Sequence, residues 1–276
     1  MKRTLMKVMF YIVFWGITLI VTIPLLWTLL LSFKDNNSMY DKPLALPAVW
    51  NFDNYFRSLN TINLSQLYMN TFLVLIISIG IAIVITFMSS CALSHLTDKN
   101  RILNHLYTYL LLGLMIPPFI LLFPIYRIGV ILKLYQTRWS LILAYIATNI
   151  SFNTLLFTNF LKSIPREIEE AALIDSCNLF QLCLQVIVPV AKPVITTVFI
   201  FNTLYVWNEF PFASILLPKA TMYTLSLGAS FFKGLYSVDY TGIIASSVLI
   251  VIPQLVFYAF FQKFIVDGMT AGAVKG

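Results

Sequence analysis

An apolar run near the start of the chain constrains its fold most strongly. No charged residue occurs between Val8 and Phe33, and bulky side chains such as Trp15 and Trp27 fill the run. A membrane-spanning helix needs about 20 mostly apolar residues. A cleaved signal peptide has a shorter apolar region of roughly 7–15 residues and a small-residue cleavage site, which is absent here. We therefore predict a first membrane helix that is retained.

The composition extends this prediction to the whole chain. Hydrophobic residues make up 59% of the 276 residues and charged residues only 11%, whereas soluble domains average about 25% charged residues. A soluble enzyme is therefore excluded, and the net charge of +7 indicates basic loops at a membrane surface rather than nucleic-acid binding. The apolar segments predict an all-α membrane protein with six spans, at about 8–32, 70–94, 105–126, 140–161, 194–217 and 242–262.

The distribution of basic residues predicts the orientation. Lys2, Arg3 and Lys7 precede the first span, which favours a cytoplasmic N-terminus. An even number of spans returns the C-terminal tail, 263–276, to the same side. Three basic residues of a short outside loop oppose this orientation: Arg127, Lys133 and Arg138.

The longest predicted inside loop, 163–193, reads SIPREIEEAALIDSCNLFQLCLQVIVPVAKP. Glutamates fill the first turns of its predicted first helix, where the helix dipole favours negative charge. The sequence Asp-Ser-Cys-Asn then predicts a turn, followed by a second helix from Leu179. A helix that rests on lipid usually carries Lys and Arg on its polar face. The acidic face therefore favours docking to a protein partner, with a lipid-bound helix as the alternative.

Polar side chains inside the predicted spans are candidates for a solute path, because membrane-embedded polar groups pair with each other or face a cavity. An indole such as that of Trp207 can in addition stack on a sugar ring. The candidates are Asn149, Asn153, Asn202, Trp207, Asn208 and Glu209.

Catalytic and metal chemistry have little support in the sequence. Cys91, Cys177 and Cys183 match no metal-site spacing, and we predict that they are reduced structural thiols. His95 and His105 have no carboxylate or cysteine at ligand spacing, so we predict no metal site. The sequence contains no Gly-x-x-x-x-Gly-Lys-Ser/Thr phosphate loop, so we expect no ATP hydrolysis by this chain.

The 163–193 loop resembles the EAA loop of the membrane subunits of binding-protein-dependent ABC importers. The matching positions are Glu170, Ala171, Ala172, Asp175, Pro189 and Pro193. The chain departs from that pattern at Ser176, where the family has a glycine, and at Cys183, where it usually has an aromatic residue. A serine in the left-handed turn that the glycine serves would cost about 1 kcal/mol.

Two further stretches resemble the carbohydrate branch of that family. LYVWNEFPFASILLP, with its core at Trp207–Phe210, is similar to the fifth span of that branch. The end of the chain, and above all Gly268–Gly276, is similar to the C-terminus of MalG-type subunits, and FPIYRIGVILKLYQT in the outside loop also fits.

The resemblance implies the MetI-like fold of type I importers, with a coupling helix between the fourth and fifth spans. It implies a multi-pass subunit of a bacterial or archaeal cell membrane that imports sugar with a MalF-like permease, two ATP-binding subunits and an extracytoplasmic solute-binding protein. ATP and Mg²⁺ would be used by the ATP-binding subunits, and this chain would bind no cofactor. The implied coupling residues are Glu169, Glu170, Ala171, Ala172, Asp175 and Ser176, and the implied tail contacts are Gly268, Thr270, Gly272 and Lys275.

Two other functions remain as alternatives to sugar import. The EAA loop also occurs in importers of the same class for other solutes. An ion-coupled secondary transporter is less favoured, because the halves of the chain show no evident repeat and no acid lies at the centre of a span.

Overall fold

A computed structural model describes residues 2–96, 101–232 and 238–271, and these residues are predominantly helical. Short 3₁₀ turns occupy Gly113–Met115, Ala220–Met222 and Leu225–Phe232, and a π-helical segment occupies Leu182–Ile187. The α-helices are α1 (Lys2–Leu31), α2 (Asn36–Asp41), α3 (Asp53–Thr61), α4 (Leu64–Leu96), α5 (Arg101–Leu112), α6 (Pro118–Ile131), α7 (Arg138–Leu161), α8 (Arg166–Ile174), α9 (Leu179–Gln181), α10 (Val188–Val190), α11 (Lys192–Asn208), α12 (Pro211–Leu216) and α13 (Tyr240–Ala271).

Within the described residues, four helices are long and apolar enough to span a membrane, and two bent helix pairs raise the number to as many as six. The straight candidates are Met6–Leu31, Leu64–Ser94, Arg138–Leu161 and Tyr240–Phe264. In the most apolar part of Arg138–Leu161, 61% of the residues are buried within the chain. In the most apolar part of Met6–Leu31, none of the residues are buried. The helix α7 is therefore central to its packing unit, and α1 presents its side chains outward.

The structure divides the predicted span 105–126 into two helices. Arg101–Met115 and Pro118–Ile131 meet at an angle of 105°. Pro117 lies between them with an extended backbone, and Pro118 begins α6. Proline lacks an N–H donor and pushes the preceding residue out of the helical region, so consecutive prolines separate the two helices.

The predicted span 194–217 likewise covers two helices, α11 and α12. The helix α11 ends at Asn208, Glu209 is extended, and Pro211 begins the short helix α12. Proline cannot donate the backbone hydrogen bond that would continue α11. At its other end, α11 is bent by 73° from the preceding Leu182–Val190 segment.

The described residues form two packing units. One comprises Met1–Leu64 with Gly228–Leu255, and the other Ser65–Leu227 with Val256–Gly276. The second unit contains α4, α7 and α11 together with the 163–193 segment, and it holds most of the candidate site residues.

Ring contacts fix the register of the three central helices in the second unit. Tyr145 packs on Tyr205 and Phe152 on Phe201, at centroid distances of 6.2 and 5.6 Å, so α7 and α11 are antiparallel. Phe87 of α4 packs edge-to-face on Phe157 of α7 at 5.2 Å. These contacts place residues of α7 and α11 at known relative depths in the bundle.

Asn70 joins the N-terminal ends of α4 and α7 to the 218–225 loop. Its amide nitrogen donates to the carbonyl oxygens of Thr221 and Tyr223, at 3.0 and 2.9 Å. Its amide oxygen accepts from Arg138 Nε and Nη2, at 3.2 and 2.8 Å. Arg138, whose charge opposes the predicted orientation, therefore has a structural role at the start of α7.

In the first unit, the carboxylate of Asp239 connects α3 to the start of α13. It accepts from Gly242 N and Thr241 Oγ1 at 3.0 and 3.1 Å, and from Asn36 Nδ2 at 3.2 Å. Arg57 Nη2 lies 3.2 Å from its second oxygen. Burial raises the pKa of Asp239, but the Gly242, Asn36 and Thr241 donors and the Arg57 charge outweigh burial and hold the pKa below its ordinary value.

We expect Asp239→Asn to lower the free energy of unfolding by about 1 kcal/mol at neutral pH. Because the folded pKa is depressed, the ionised carboxylate stabilises the protein above the unfolded pKa of about 3.9, and this contribution is lost as pH falls through the folded value. Thermal unfolding of the detergent-purified protein at pH 7 and below pH 4 measures both effects. Asp41→Asn, at an exposed residue of α2, is the matched control, and an equal loss in both variants would contradict the prediction.

Candidate functional site

The 163–193 segment is held on the central helices by an apolar cluster. Ile164 and Ile187, from opposite ends of the segment, are 8% and 4% exposed. They belong to one buried cluster with Ala191 of the same segment and with residues of α4, α7 and α11: Phe87, Phe157, Leu161, Val194 and Val198. The helix α8 also packs against the π-helical residues Leu182–Ile187. The segment therefore forms a packed helix–turn–helix and not a loose loop.

The turn after α8 has the left-handed geometry that glycine favours. Ser176 has a φ of 63°. The Cys177 N–H donates to the Ala172 carbonyl at 3.1 Å, and the Asp175 N–H donates to Ala171 at 3.0 Å. The first of these is the long-range bond of a Schellman motif, which ends a helix with one left-handed residue. The chain therefore keeps the turn expected of the family glycine although it has a serine there.

The second helix of the segment begins with a reciprocal cap. The Gln181 N–H donates to Asn178 Oδ1 at 2.9 Å, and the Asn178 N–H donates to Gln181 Oε1 at 3.0 Å. Such a capping box satisfies two backbone donors at a helix start. Both ends of the turn are thus fixed by hydrogen bonds within the segment.

The exposed surface around this turn is both acidic and apolar. Glu170, Ala171, Asp175 and Ser176 are exposed, whereas Ala172 is only 6% exposed and faces the chain, and Glu169 is half-buried. Ile174 and Phe180 flank the turn with 83% and 66% of their surface exposed. Large apolar side chains exposed together on a folded surface are typical of protein interaction sites. We call Glu170, Ala171, Ile174, Asp175 and Phe180 the coupling surface.

The sequence analysis did not single out Ile174 and Phe180, because hydrophobicity alone does not show which apolar side chains of a short helix are exposed. One feature of the sequence does indicate that Ile174 is exposed. It lies next to Asp175, at the end of a helix that is too short to bury every apolar residue.

Among the candidate path residues, Glu209 makes the most extensive hydrogen bonds. Its side chain is 7% exposed. One carboxyl oxygen accepts from the Phe212 N–H at 2.6 Å, and the other accepts from the Tyr145 hydroxyl at 2.6 Å and the Ala213 N–H at 3.1 Å. The carboxyl group therefore fixes the break between α11 and α12 and ties it to α7. Tyr145 was not among the residues predicted from the sequence.

Four other candidates lie inside the helix bundle. Asn149, Asn153, Asn202 and Trp207 are at most 8% exposed. The register of α7 against α11 places Asn149 and Asn202 at the same depth, and Asn149 donates to the carbonyl of Tyr145 at 2.8 Å. These side chains pack within the second unit and are not open to a solute in this conformation.

Asn208 is the candidate that reaches the surface. It is exposed and, together with Glu209, lines a cavity of about 250 Å³ beside the break in α11. Aromatic rings of Phe119 and Tyr205 line the same cavity. An amide beside aromatic rings suits a ligand that has both polar edges and apolar faces.

The structure describes two of the four candidate tail residues. Gly268 and Thr270 lie in the last turns of α13, which continues to Ala271, beyond the predicted end of the span at 262. Gly272 and Lys275 lie outside the described residues.

We expect Ser176→Gly to stabilise the protein by about 1 kcal/mol, because glycine adopts a positive φ without the steric cost of a Cβ atom. Thermal unfolding of the purified protein measures the change. Ser163→Gly is the control, since Ser163 is exposed in the same segment and has an ordinary φ. A loss of stability in Ser176→Gly equal to that in Ser163→Gly would contradict the prediction.

We expect Glu209→Gln to lower the free energy of unfolding by about 1–3 kcal/mol, because glutamine offers one acceptor oxygen to three buried donors. Tyr145→Phe removes one donor and is expected to cost less. Asn208→Ala is the control at the neighbouring exposed position, with an expected change within about 0.5 kcal/mol. Equal stability of the Glu209→Gln and Asn208→Ala proteins would show that the carboxyl group does not hold this break.

Known proteins with a similar sequence or fold are named as parts of ABC transporters or uptake systems. The chain is 35% identical to the ABC transporter permease protein ORF2 of Caldicellulosiruptor sp. (strain Rt8B.4), over 96% of each chain. It is 29% identical to the diacetylchitobiose uptake system permease protein NgcG of Streptomyces coelicolor, over 96% of this chain and 87% of that protein. A crystal structure of a bacterial ABC transporter that imports the acidic polysaccharide alginate contains a chain of similar fold, with a TM-score of 0.81, 20% identity, and coverage of 94% of this chain and 96% of that one.

The model of one protein family covers most of the chain. Residues 91–270 match the family described as binding-protein-dependent transport system inner membrane component. Together with the candidate spans, this match identifies a multi-pass protein of the cell membrane that serves transport and not catalysis. The chain belongs to the binding-protein-dependent transport system inner membrane components and is the permease subunit of such an importer.

Proposed function

We propose that this permease subunit forms the translocation path of an ATP-driven sugar importer together with a second, MalF-like permease. Support for a sugar comes from the Trp207–Phe210 stretch, which resembles the carbohydrate branch, and from the relative that is named for diacetylchitobiose uptake. A solute-binding protein delivers the sugar from outside the cell. The N-terminus and the C-terminal tail lie in the cytoplasm, as the basic residues before α1 predict.

The coupling surface docks on an ATP-binding subunit. The observation that carries this proposal is the exposure of Ile174 and Phe180 beside Glu170 and Asp175 on a segment that is packed on the central helices. The exposed Ala171 adds only a methyl group, so a partner's backbone can approach closely. A helix that is fixed both to a partner and to the membrane helices transmits movement between them as a rigid body.

ATP and Mg²⁺ are bound and used by two ATP-binding subunits, whose closure moves the coupling surface. This chain supplies no phosphate loop and binds no cofactor itself. Glu169 and Ser176 support the coupling surface, and the tail after Gly268 contacts the same ATP-binding dimer.

The sugar passes along the face of the second unit that carries Asn208, Phe119 and Tyr205. Aromatic rings can stack on the apolar faces of a sugar, and an amide can pair with its hydroxyl groups. The buried Glu209 acts behind this face by holding α7, α11 and α12 together through Tyr145 and the first N–H groups of α12. Asn149, Asn153, Asn202 and Trp207 are buried in the same unit.

We expect Glu170→Lys to abolish co-purification of the ATP-binding subunit with this chain, because the reversed charge faces the groove in which the coupling surface lies. The second permease should remain bound. Gentle detergent extraction of native membranes, followed by mass-spectrometric identification of the bound proteins, measures both outcomes. Glu167→Lys, at an exposed acid one turn earlier on α8, is the matched control and should keep the ATP-binding subunit.

Unchanged co-purification of the ATP-binding subunit with the Glu170→Lys protein would overturn the docking role and favour the lipid-bound helix instead.

The solute class needs a separate measurement. Vesicles that contain the complete importer are given sugars or amino acids together with the solute-binding protein, and uptake is measured. ATP-dependent uptake of a sugar supports the proposal. Uptake of another solute class, or uptake that follows an ion gradient without ATP, would contradict it.

A further inference from the structure

Two cysteines of the second unit lie in side-chain contact. Cys91 on α4 and Cys183 in the π-helical segment Leu182–Ile187 have their Sγ atoms 3.9 Å apart. Both are free thiols, and both are half-buried rather than sealed inside the bundle. The contact joins residues that are remote in sequence, one in a membrane-spanning helix and the other in the 163–193 segment.

The surroundings hold the two thiols in place. Both pack at the margin of the buried cluster that includes Phe87, Phe157 and Ile187. Cysteines in such a position can act as small apolar side chains. The sulfur atoms of these two, however, face each other at 3.9 Å, so a disulfide requires them to approach to about 2.05 Å.

The backbone around Cys183 is π-helical rather than α-helical. The Val188 N–H donates to the Cys183 carbonyl across five residues, which is the π-helical pattern. Such wide turns are rare within α-helices and frequently mark functional sites.

We propose that Cys91 and Cys183 form a redox-sensitive thiol pair, and that their oxidation to a disulfide tethers the 163–193 segment to α4 and stops uptake. The effect on uptake rests on the proposed function, whereas formation of the bond does not. In the reducing cytoplasm the pair rests as two thiols, and cytoplasmic disulfides that do form are usually transient and serve redox sensing.

The oxidant is a low-molecular-weight disulfide, such as oxidised glutathione. One cysteine loses its proton to water, and its thiolate attacks a sulfur of that disulfide, which releases one thiolate and leaves a mixed disulfide on the protein. The second cysteine, also deprotonated, then attacks the protein-bound sulfur and releases the other thiolate. The Cys91–Cys183 bond forms, the small-molecule disulfide bond breaks, and the two released thiolates take up the two protons. Excess reduced thiol reverses both steps.

The covalent link changes the mechanics of the segment. In the reduced protein, the contact between Cys183 and Cys91 of α4 is non-bonded, so it can change when the membrane helices rearrange during transport. A disulfide fixes that contact at one separation and joins the coupling surface to a single position on α4. A movement of the segment relative to α4 is then blocked.

The test uses membranes that contain the complete importer. They are treated with oxidised glutathione, free thiols are blocked with iodoacetamide, and peptides are identified by mass spectrometry without reduction. We expect a linked peptide pair containing Cys91 and Cys183, lighter than the two thiol peptides by two hydrogen atoms. ATP-driven uptake, compared with and without oxidant for each variant, should be lost on oxidation and restored by dithiothreitol.

Single cysteine-to-serine variants show whether the response to oxidant depends on Cys91 and Cys183 or on Cys177. Cys91→Ser and Cys183→Ser should form no linked peptide, and their uptake should not respond to oxidant. Cys177→Ser, in the turn between α8 and α9, should respond as the unmodified protein does. Basal uptake by Cys91→Ser shows that the variant is folded and assembled.

Two results would overturn the inference: no Cys91–Cys183 peptide under conditions in which Cys177 becomes glutathionylated, or full uptake by protein that carries the link. Failure of the proposed function is visible separately, as absence of ATP-driven sugar uptake before any oxidant is added. The linked peptide is detected independently of that activity.

Discussion

The packing of the 163–193 segment on α4, α7 and α11 is the contact on which the rest of the molecule's function depends. A helix can pass a displacement from a partner to the membrane only if its attachment is stiffer than its surroundings. Ile164 and Ile187 supply that attachment at the two ends of the segment, and Phe87 and Phe157 meet edge-to-face beneath them at 5.2 Å. Within a membrane, apolar area alone gives helices little reason to associate, so this shape-matched packing carries much of the stability.

The second constraint is the satisfaction of backbone groups where a helix is broken. In a membrane, no water is available for a free N–H or carbonyl group, so each interruption needs its own donors and acceptors. Glu209 provides two acceptor oxygens at the break between α11 and α12, and Tyr145 anchors the same carboxyl group to α7. The break that proline imposes therefore becomes a defined geometry, with a cavity and the exposed Asn208 beside it.

Polar residues in the spans show why sequence reasoning reached only part of the site. Asn153, Asn202 and Glu209 are equally unusual in an apolar helix, and polarity alone cannot distinguish a side chain that braces its neighbours from one that meets a solute. The difference lies in the direction each side chain takes once α7 and α11 are aligned. Asn208 points outward, although it adjoins Trp207 and Glu209, which are buried.

The sequence by itself determined the membrane class, the helical segments and the helix–turn–helix between Ser163 and Pro193, because apolar run length, proline positions and turn residues act locally. The resemblance implied a left-handed turn where the family has a glycine, and Ser176 adopts that backbone conformation. Only the tertiary structure decided that Tyr145 meets Glu209, that Ile174 and Phe180 are exposed, and that Cys91 meets Cys183. Each of these depends on the relative depth and rotation of helices that are distant in sequence, and such contacts leave no periodic or local mark on the chain.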